Sequence, residues 1–256
     1  MDSPSRAPIR LLIDVGNSRG KFALSGGGDE LTITACPTAG VGAGELPDAL
    51  KSGLAKSAFI SSVVPRVNAP LRAALIRRGV GEITFVNPAT HAIIPHNLLP
   101  PIAVGSDRLL AALAASRDFA RARREIIVIH LGSALVIDWL TADGVFQGGL
   151  IMPGAQMLLD ALAAAAQLPR LTATDLDWAA VGAGRDTRRA ILTGAVATLV
   201  GQTREGIRRV TPPAATPRLI FTGGGGEILA AQFAGEYAPD LVLRGLNYWA
   251  ADARTI

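Results

Sequence analysis

One cysteine, Cys36, and three lysines, Lys21, Lys51 and Lys56, are all that this 256-residue chain has of those two residue types. A single cysteine closes no disulfide within the chain and builds no cysteine-type zinc site. Aromatic residues make up only 5% of the sequence and do not interleave with its basic residues. No nucleic-acid-binding fingerprint accompanies the positive charge, so no nucleic-acid partner is expected. No apolar run approaches the roughly 18 residues that a bilayer span needs, so no membrane partner is expected either. The segment from Met1 to Arg10 lacks the apolar stretch of a signal peptide. A cytoplasmic, soluble protein is therefore expected.

The residues that are present fit a folded globular protein. Hydrophobic residues are 49% of the chain and charged residues 18%, enough to bury a sizeable core and too apolar for disorder. The length suits one large domain or two smaller ones sharing a cleft. The net charge of +4 is carried mostly by arginine, the side chain best shaped for phosphates and carboxylates. Its densest group, Arg117 to Arg124, falls at the end of an expected helix.

The pattern of apolar residues alternates strands and helices. Strands are expected at Ile9 to Ile13, Lys21 to Leu24, Phe59 to Val63 and Ile83 to Val86. A hairpin turn is expected at Gly26-Gly27-Gly28-Asp29, and helical spacing covers Leu71 to Arg78. Thr90 to Val104 reads as a proline-rich ordered loop and Ser106 to Arg124 as a helix. A second unit then begins, with strands at Glu125 to Leu131 and Leu135 to Leu140, and a hairpin turn at Ala142-Asp143-Gly144. Gly148-Gly149 and Pro153-Gly154 read as framing a loop. Helices follow at Ala155 to Ala166 and Ala190 to Val210, then a proline-rich linker from Thr211 to Pro217. A strand from Leu219 to Thr222 runs into four glycines that open a helix near Glu227. In both units a strand runs into a polar, glycine-containing turn and on into a hairpin strand. The expected architecture is α/β, with two related halves, residues 1–122 and 123–256, facing each other across a nucleotide cleft.

Four segments carry chemistry. In Asp14-Val15-Gly16-Asn17-Ser18-Arg19-Gly20-Lys21, a glycine between two strands lets backbone approach a phosphate. Asp14 could hold Mg²⁺ through oxygen, Asn17 and Ser18 offer neutral donors, and Lys21 adds charge; a plain hairpin with a polar turn would look the same. In Gly105-Ser106-Asp107-Arg108 the bland reading is helix capping. The functional reading is a carboxylate, Asp107, that accepts a proton from a substrate hydroxyl, with Arg108 and helix amides binding an anionic group. Gly132-Ser133-Ala134, with Asp138 beyond it, mirrors the first turn. Thr222-Gly223-Gly224-Gly225-Gly226 is a strand-to-helix turn that could meet phosphate or adenosine, or simply flex. None of these is a Walker loop or a dinucleotide fingerprint.

Taken together and in order, these segments resemble the type III pantothenate kinases from about residue 9 to residue 250. The resemblance also rests on Gly148-Gly149-Leu150-Ile151-Met152-Pro153-Gly154, Leu168-Pro169, Asp186-Thr187 with Gly194, and Leu241 to Leu246. It implies the acetate and sugar kinase, Hsc70 and actin fold with two ribonuclease-H-like halves, a homodimer, and transfer of the γ-phosphoryl of ATP to pantothenate. It further implies that Asp14 to Lys21 cradle ATP phosphates with Asp14 near Mg²⁺, and that Gly132 and Ser133 contact ATP. By the same resemblance Asp107 is the proton acceptor, and Gly105, Ser106, Asp107, Arg108 and Thr187 bind pantothenate.

Two positions depart from the family pattern. Leu98 stands where the family usually has a substrate-binding tyrosine, with Pro101 keeping the usual proline. His130 stands where the family commonly has an aspartate that binds a monovalent cation, K⁺ or NH₄⁺; a satisfied strand-end histidine is the bland reading there. His91 and His96 fall in the proline-rich loop and are expected to serve it rather than catalysis. The departures motivate two other readings: a degenerate member acting as a regulatory or accessory binding protein, and a kinase for another small alcohol. Intact Asp14, Asp107, Arg108 and Thr187 favour the pantothenate kinase.

Overall fold

The structure is a computed structural model and describes residues 9–26, 31–48, 50, 55–100, 103–119 and 124–253. Most of the expected Gly26 to Asp29 turn, the end of the Ser106 to Arg124 helix and Pro101 lie outside these residues. In chain order the strands are β1 (Arg10–Val15), β2 (Arg19–Ser25), β3 (Thr32–Pro37), β4 (Ser57–Ser62), β5 (Glu82–Phe85), β6 (Ile126–Leu131), β7 (Ala134–Leu140), β8 (Phe146–Pro153), β9 (Arg218–Thr222) and β10 (Glu236–Tyr237). The helices are α1 (Thr38–Gly42), α2 (Asn68–Arg77), α3 (Ser106–Phe119), α4 (Ala155–Ala166), α5 (Thr187–Val210), α6 (Gly226–Gln232) and α7 (Leu241–Asp252).

The first sheet runs β3-β2-β1-β4-β5. β1, β2 and β3 pair antiparallel, whereas β1–β4 and β4–β5 are parallel. Alternation along β1 decides which helices cover which face. Leu11, Ile13 and Val15 join Phe22 and Ile60 in a core closed by Val41, Leu71 and Leu75 of the first two helices. The other face carries Leu12, Asp14, Phe59 and Ser61, and α7 packs against β1, β2 and β4. There Trp249 meets Phe59 edge-on, with ring centroids 6.2 Å apart, and the buried Ser25 hydroxyl donates to Asn247 at 2.8 Å. Compactness accordingly groups Met1–Arg117 with Leu241–Ile256, and Asp118–Asp240 forms the second unit. The sequence reading drew the line at 122/123 and kept the C-terminus with the second half. Helix α7 joins the first unit because its apolar stripe, Leu241, Val242, Leu246 and Trp249, is buried on that sheet.

The second sheet runs β10-β9-β6-β7-β8. β6–β7 and β7–β8 are antiparallel, and β6–β9 and β9–β10 parallel. Read from its other edge, the order β8-β7-β6-β9-β10 reproduces the first sheet strand for strand. The repeat visible at the two turns is thus a repeat of whole topology. Ile127, Ile129, Leu135, Ile137 and Phe221 form its core with Leu199 of α5 and Leu229 of α6.

Two expectations are corrected. The stretch framed by Gly148-Gly149 and Pro153-Gly154 is not a loop: Phe146 to Pro153 is β8, paired with β7 from Ala134↔Pro153 to Leu140↔Phe146. Its glycines suit a crowded ladder, since a Cβ on Gly149 would stand 1.9 Å from the Ile137 carbonyl oxygen. The long second-unit helix begins at Thr187 rather than Ala190, because the Asp186 carboxylate accepts a hydrogen bond from the Arg189 backbone N–H at 2.8 Å and caps it.

Candidate active site

Residues paired laterally in a sheet point to the same face. Asp14 pairs with Lys21 on β2 and with Ser61 on β4, so Lys21, Asp14 and Ser61 form a row across three strands. Asp14 is half-buried, at the C-terminal end of its strand. Loss of solvent, then the nearby negative charge of Asp107, push its carboxyl up to about pKa 7, with Lys21 pulling the other way. In the turn that follows, the Gly16 N–H donates to the Arg19 carbonyl at 3.0 Å, and the Thr38 hydroxyl donates to the Gly16 carbonyl at 2.7 Å. Those bonds hold the turn from within and present Asn17, Ser18 and Arg19 exposed at its tip. Val15 packs its side chain into the core, so it has only backbone to offer a ligand, and Gly20 is buried.

The second acidic group arrives on α3. Ser106, its first residue, is 3% exposed, and its hydroxyl lies 2.9 Å from that of Ser61. Asp107 follows in the first turn, where the helix dipole favours a carboxylate. Its Oδ1 accepts from the Arg108 backbone N–H at 2.9 Å. Gly105 gives that carboxylate room, because a Cβ there would stand 2.4 Å from Asp107 Oδ1. A cleft of about 480 Å³ opens beside this turn, lined by Ser62, Phe85, Asn87, Pro88, Val104 and Gly105 among others. Leu98 lies half-buried in the segment after β5, its N–H donating to His96 Nδ1 at 3.3 Å. The His91 ring packs against Trp249 with centroids 5.2 Å apart and the rings tilted by 43°, a loop-anchoring role.

In the second unit, the β6–β7 turn repeats the first, with the Gly132 N–H donating to the Ala134 carbonyl at 3.0 Å. Two other segments crowd onto it. A Cβ on Gly154, just before α4, would stand 2.4 Å from the Ser133 carbonyl oxygen, and one on Gly223 would stand 2.5 Å from that of Leu131. Gly223 also has φ +86°, which side-chain-bearing residues rarely adopt. His130 pairs with Thr222 and Val136, and its ring lies against Gly132 and Gly223. Thr187 is exposed in the first turn of α5.

The first unit thus brings Asp14, Lys21, Gly105, Ser106, Asp107 and Arg108 together. The second groups His130, Gly132 and Ser133, with Thr187 separately on its helix. Ser61 was absent from the sequence reading. Its signal is its register opposite Asp14, which a strand pairing alone would have revealed. The cleft residues Phe85 and Asn87 were missed for a different reason, since they lie on a strand end that carries no motif.

Two ribonuclease-H-like units with a carboxylate at the end of the first strand define the actin, Hsc70 and sugar-kinase class of fold. Solved structures agree on the fold. A protein titled as a candidate Baf family transcriptional activator from Campylobacter jejuni superposes with TM-score 0.62 at 20% identity, covering 96% of this chain and 100% of that one. The activator of 2-hydroxyisocaproyl-CoA dehydratase from Clostridium difficile, solved with ADPNP, gives TM-score 0.55 at 10% identity over 96% of each chain.

Sequence narrows the class. The family model for type III pantothenate kinase matches residues 10–209. The type III pantothenate kinase of Stenotrophomonas maltophilia strain K279a is 35% identical over 93% of this chain and 96% of its own length. That of Chromobacterium violaceum is 33% identical over 93% and 98%. The chain belongs to the type III pantothenate kinase family.

Proposed function

We propose that the protein transfers the γ-phosphoryl group of ATP to the primary hydroxyl of pantothenate, giving 4′-phosphopantothenate for coenzyme A synthesis. The observation that carries this reading is the meeting of Asp14 and Asp107, linked through the Ser61–Ser106 hydroxyl contact and close enough for the charge of Asp107 to raise the Asp14 pKa, beside a cleft of small-molecule size. Phosphoryl transfer asks little covalent chemistry of the protein; it asks for positioning and charge neutralisation.

Asp107 accepts the proton of the attacking hydroxyl. Gly105, Ser106 and Arg108 hold pantothenate, with Leu98 against it in place of the usual tyrosine; Thr187 is the further pantothenate-binding residue that the family resemblance assigns. The turn from Asp14 to Lys21 holds ATP phosphates, and Gly132 and Ser133 serve as the second phosphate turn. Asp14 fits a Mg²⁺ ligand, because a crowded carboxylate with a raised pKa is relieved by a cation. Mg²⁺ keeps most of its waters and takes oxygens from substrate phosphates, so a single protein carboxylate such as Asp14 can serve it. When bound, Mg²⁺ neutralises charge on the transferring phosphate. The monovalent-cation position does not fit: the ring of His130 stands there, Nε2 3.1 Å from where a Gly132 Cβ would be, and a nitrogen donor suits K⁺ poorly.

A homodimer is supported by apolar side chains left exposed on the second unit, Ile151 on β8 and Met157 and Leu162 on α4. Among the described residues no helix is long and apolar enough to cross a membrane. A cytoplasmic location is part of the same proposal and rests on the kinase reading.

The test is ADP release from purified protein with Mg²⁺, ATP and pantothenate. ADP that depends on pantothenate supports the kinase. Folded, ATP-binding protein that releases none with pantothenate or with a panel of other alcohols points instead to an accessory binding protein.

A further inference from the structure

The buried serine pair beside the two carboxylates has a job that neither strand nor helix propensity requires. Ser61 is fully buried and Ser106 3% exposed, and their hydroxyls lie 2.9 Å apart across 45 residues of sequence. A pair of buried hydroxyls contributes little net stability over two small apolar groups, while leaving one partner unsatisfied is costly. What such a pair supplies is direction. Ser61 is the lateral neighbour of Asp14 on the parallel strand β4, so its position is fixed by the same backbone ladder that fixes Asp14. Ser106 is the residue before Asp107, at the start of α3. The residue immediately before that helix is Gly105, which adds no side-chain packing of its own. One hydrogen bond therefore references the first turn of α3, and with it Asp107, to the row that holds Asp14.

We propose that Ser61 is a positioning residue for phosphoryl transfer, acting through Ser106 to set the Asp107 carboxylate relative to Asp14. Ser61 is absent from the walls of the 480 Å³ cleft, whereas Ser106 is among them. An effect of Ser61 on catalysis must then pass through the serine pair rather than through substrate contact. The inference rests on the kinase reading and deepens it.

The experiment measures kcat and the KM values for ATP and pantothenate in wild type, Ser61→Ala, Ser106→Ala, the double variant and Ser106→Thr, with a thermal melt of each. Inactive wild type overturns the kinase reading itself. With active wild type, Ser61→Ala is expected to lower kcat about 10-fold, the size of one misdirected hydrogen bond in a transition state, with both KM values within twofold. The double variant is expected to match the slower single rather than multiply the two losses, and Ser106→Thr, which keeps the hydroxyl, to recover most of the rate. A kcat for Ser61→Ala within twofold of wild type overturns the proposal. So does a loss that multiplies in the double variant, or one that appears in KM instead of kcat. A Ser61→Ala protein that is unfolded leaves Ser106→Ala against Ser106→Thr as the deciding comparison, and equal rates in those two overturn it.

Discussion

Asp107, in the first turn of α3, lies close enough to Asp14, at the end of β1, for its charge to raise the Asp14 pKa, adding to the larger effect of lost solvent. Both effects oppose ionisation, so the apoprotein keeps at Asp14 a proton that the unfolded chain gives up. The consequence for stability has a definite sign. Between the unfolded pKa of about 4 and the folded value of about 7, the folded state binds more protons. Stability therefore falls as pH rises through this window and levels off above it.

In metal-free buffer with a chelator, chemical denaturation is expected to show a loss of roughly 2–4 kcal/mol between pH 4 and pH 7.5 from this group. Asp14→Asn should flatten that slope and be more stable than wild type at pH 8. Mg²⁺ with ATP should restore wild type but not the variant. Parallel pH curves for the two proteins would show that Asp14 is not the group responsible.

Asp107 has a separate task. Asp107→Asn preserves the size of the side chain and an oxygen that can accept from the Arg108 N–H, so the helix start should survive. It removes the proposed proton acceptor. A fall in kcat of about 10²–10⁴-fold is expected, with ATP affinity changed by less than about threefold. Titration of a fluorescent ATP analogue against the rate measurement separates the two. Retained turnover would take the base role from Asp107.

How much of this was legible beforehand differs element by element. The strands leading into both turns were read from their apolar runs, and the chemistry-bearing residues Asp14 and Asp107 from residue type beside glycine. The edge strand β3 was not read: Thr32–Pro37 is short, has Ile33 as its only large apolar residue and leaves no residue fully buried, so no apolar run marks it. β8 was misread because glycine ordinarily marks a turn, and only the closeness of the Ile137 carbonyl explains why glycine is wanted within a strand. The placement of α7 with the first sheet depends on packing between segments more than 200 residues apart, which local pattern does not encode. The Ser61–Ser106 pair was hidden for the same reason.

His130 makes a prediction about ions. The imidazole lies against Gly132 and Gly223, in the position where relatives are expected to offer a carboxylate to a monovalent cation. Wild-type turnover is expected to change less than twofold between K⁺ and an inert cation such as tetramethylammonium at equal ionic strength. His130→Asp should acquire K⁺ stimulation of severalfold, seen first in the KM for ATP. Strong K⁺ dependence of the wild type would mean that oxygen ligands elsewhere build the site.

Gly245 tests whether the C-terminal helix is fastened where the first unit needs it. A Cβ there would stand 1.9 Å from the Leu110 carbonyl oxygen and 2.6 Å from its carbonyl carbon, both backbone atoms of α3 that cannot rotate aside. Gly245→Ala must therefore push α7 off α3, and the loss of close packing exceeds the ~1 kcal/mol that alanine gains over glycine in a helix. A net destabilisation of about 1–3 kcal/mol is expected by urea unfolding. Gly201→Ala is the control, since Gly201 is an exposed glycine of α5 with nothing within 4 Å of its added Cβ. It should be stabilising by up to ~1 kcal/mol. Because α3 also carries Asp107, Gly245→Ala should slow turnover even at temperatures where it remains folded, while Gly201→Ala should not. If the two variants shift the urea midpoint alike, the helices are not in the backbone contact described, and α7 has no part in holding Asp107.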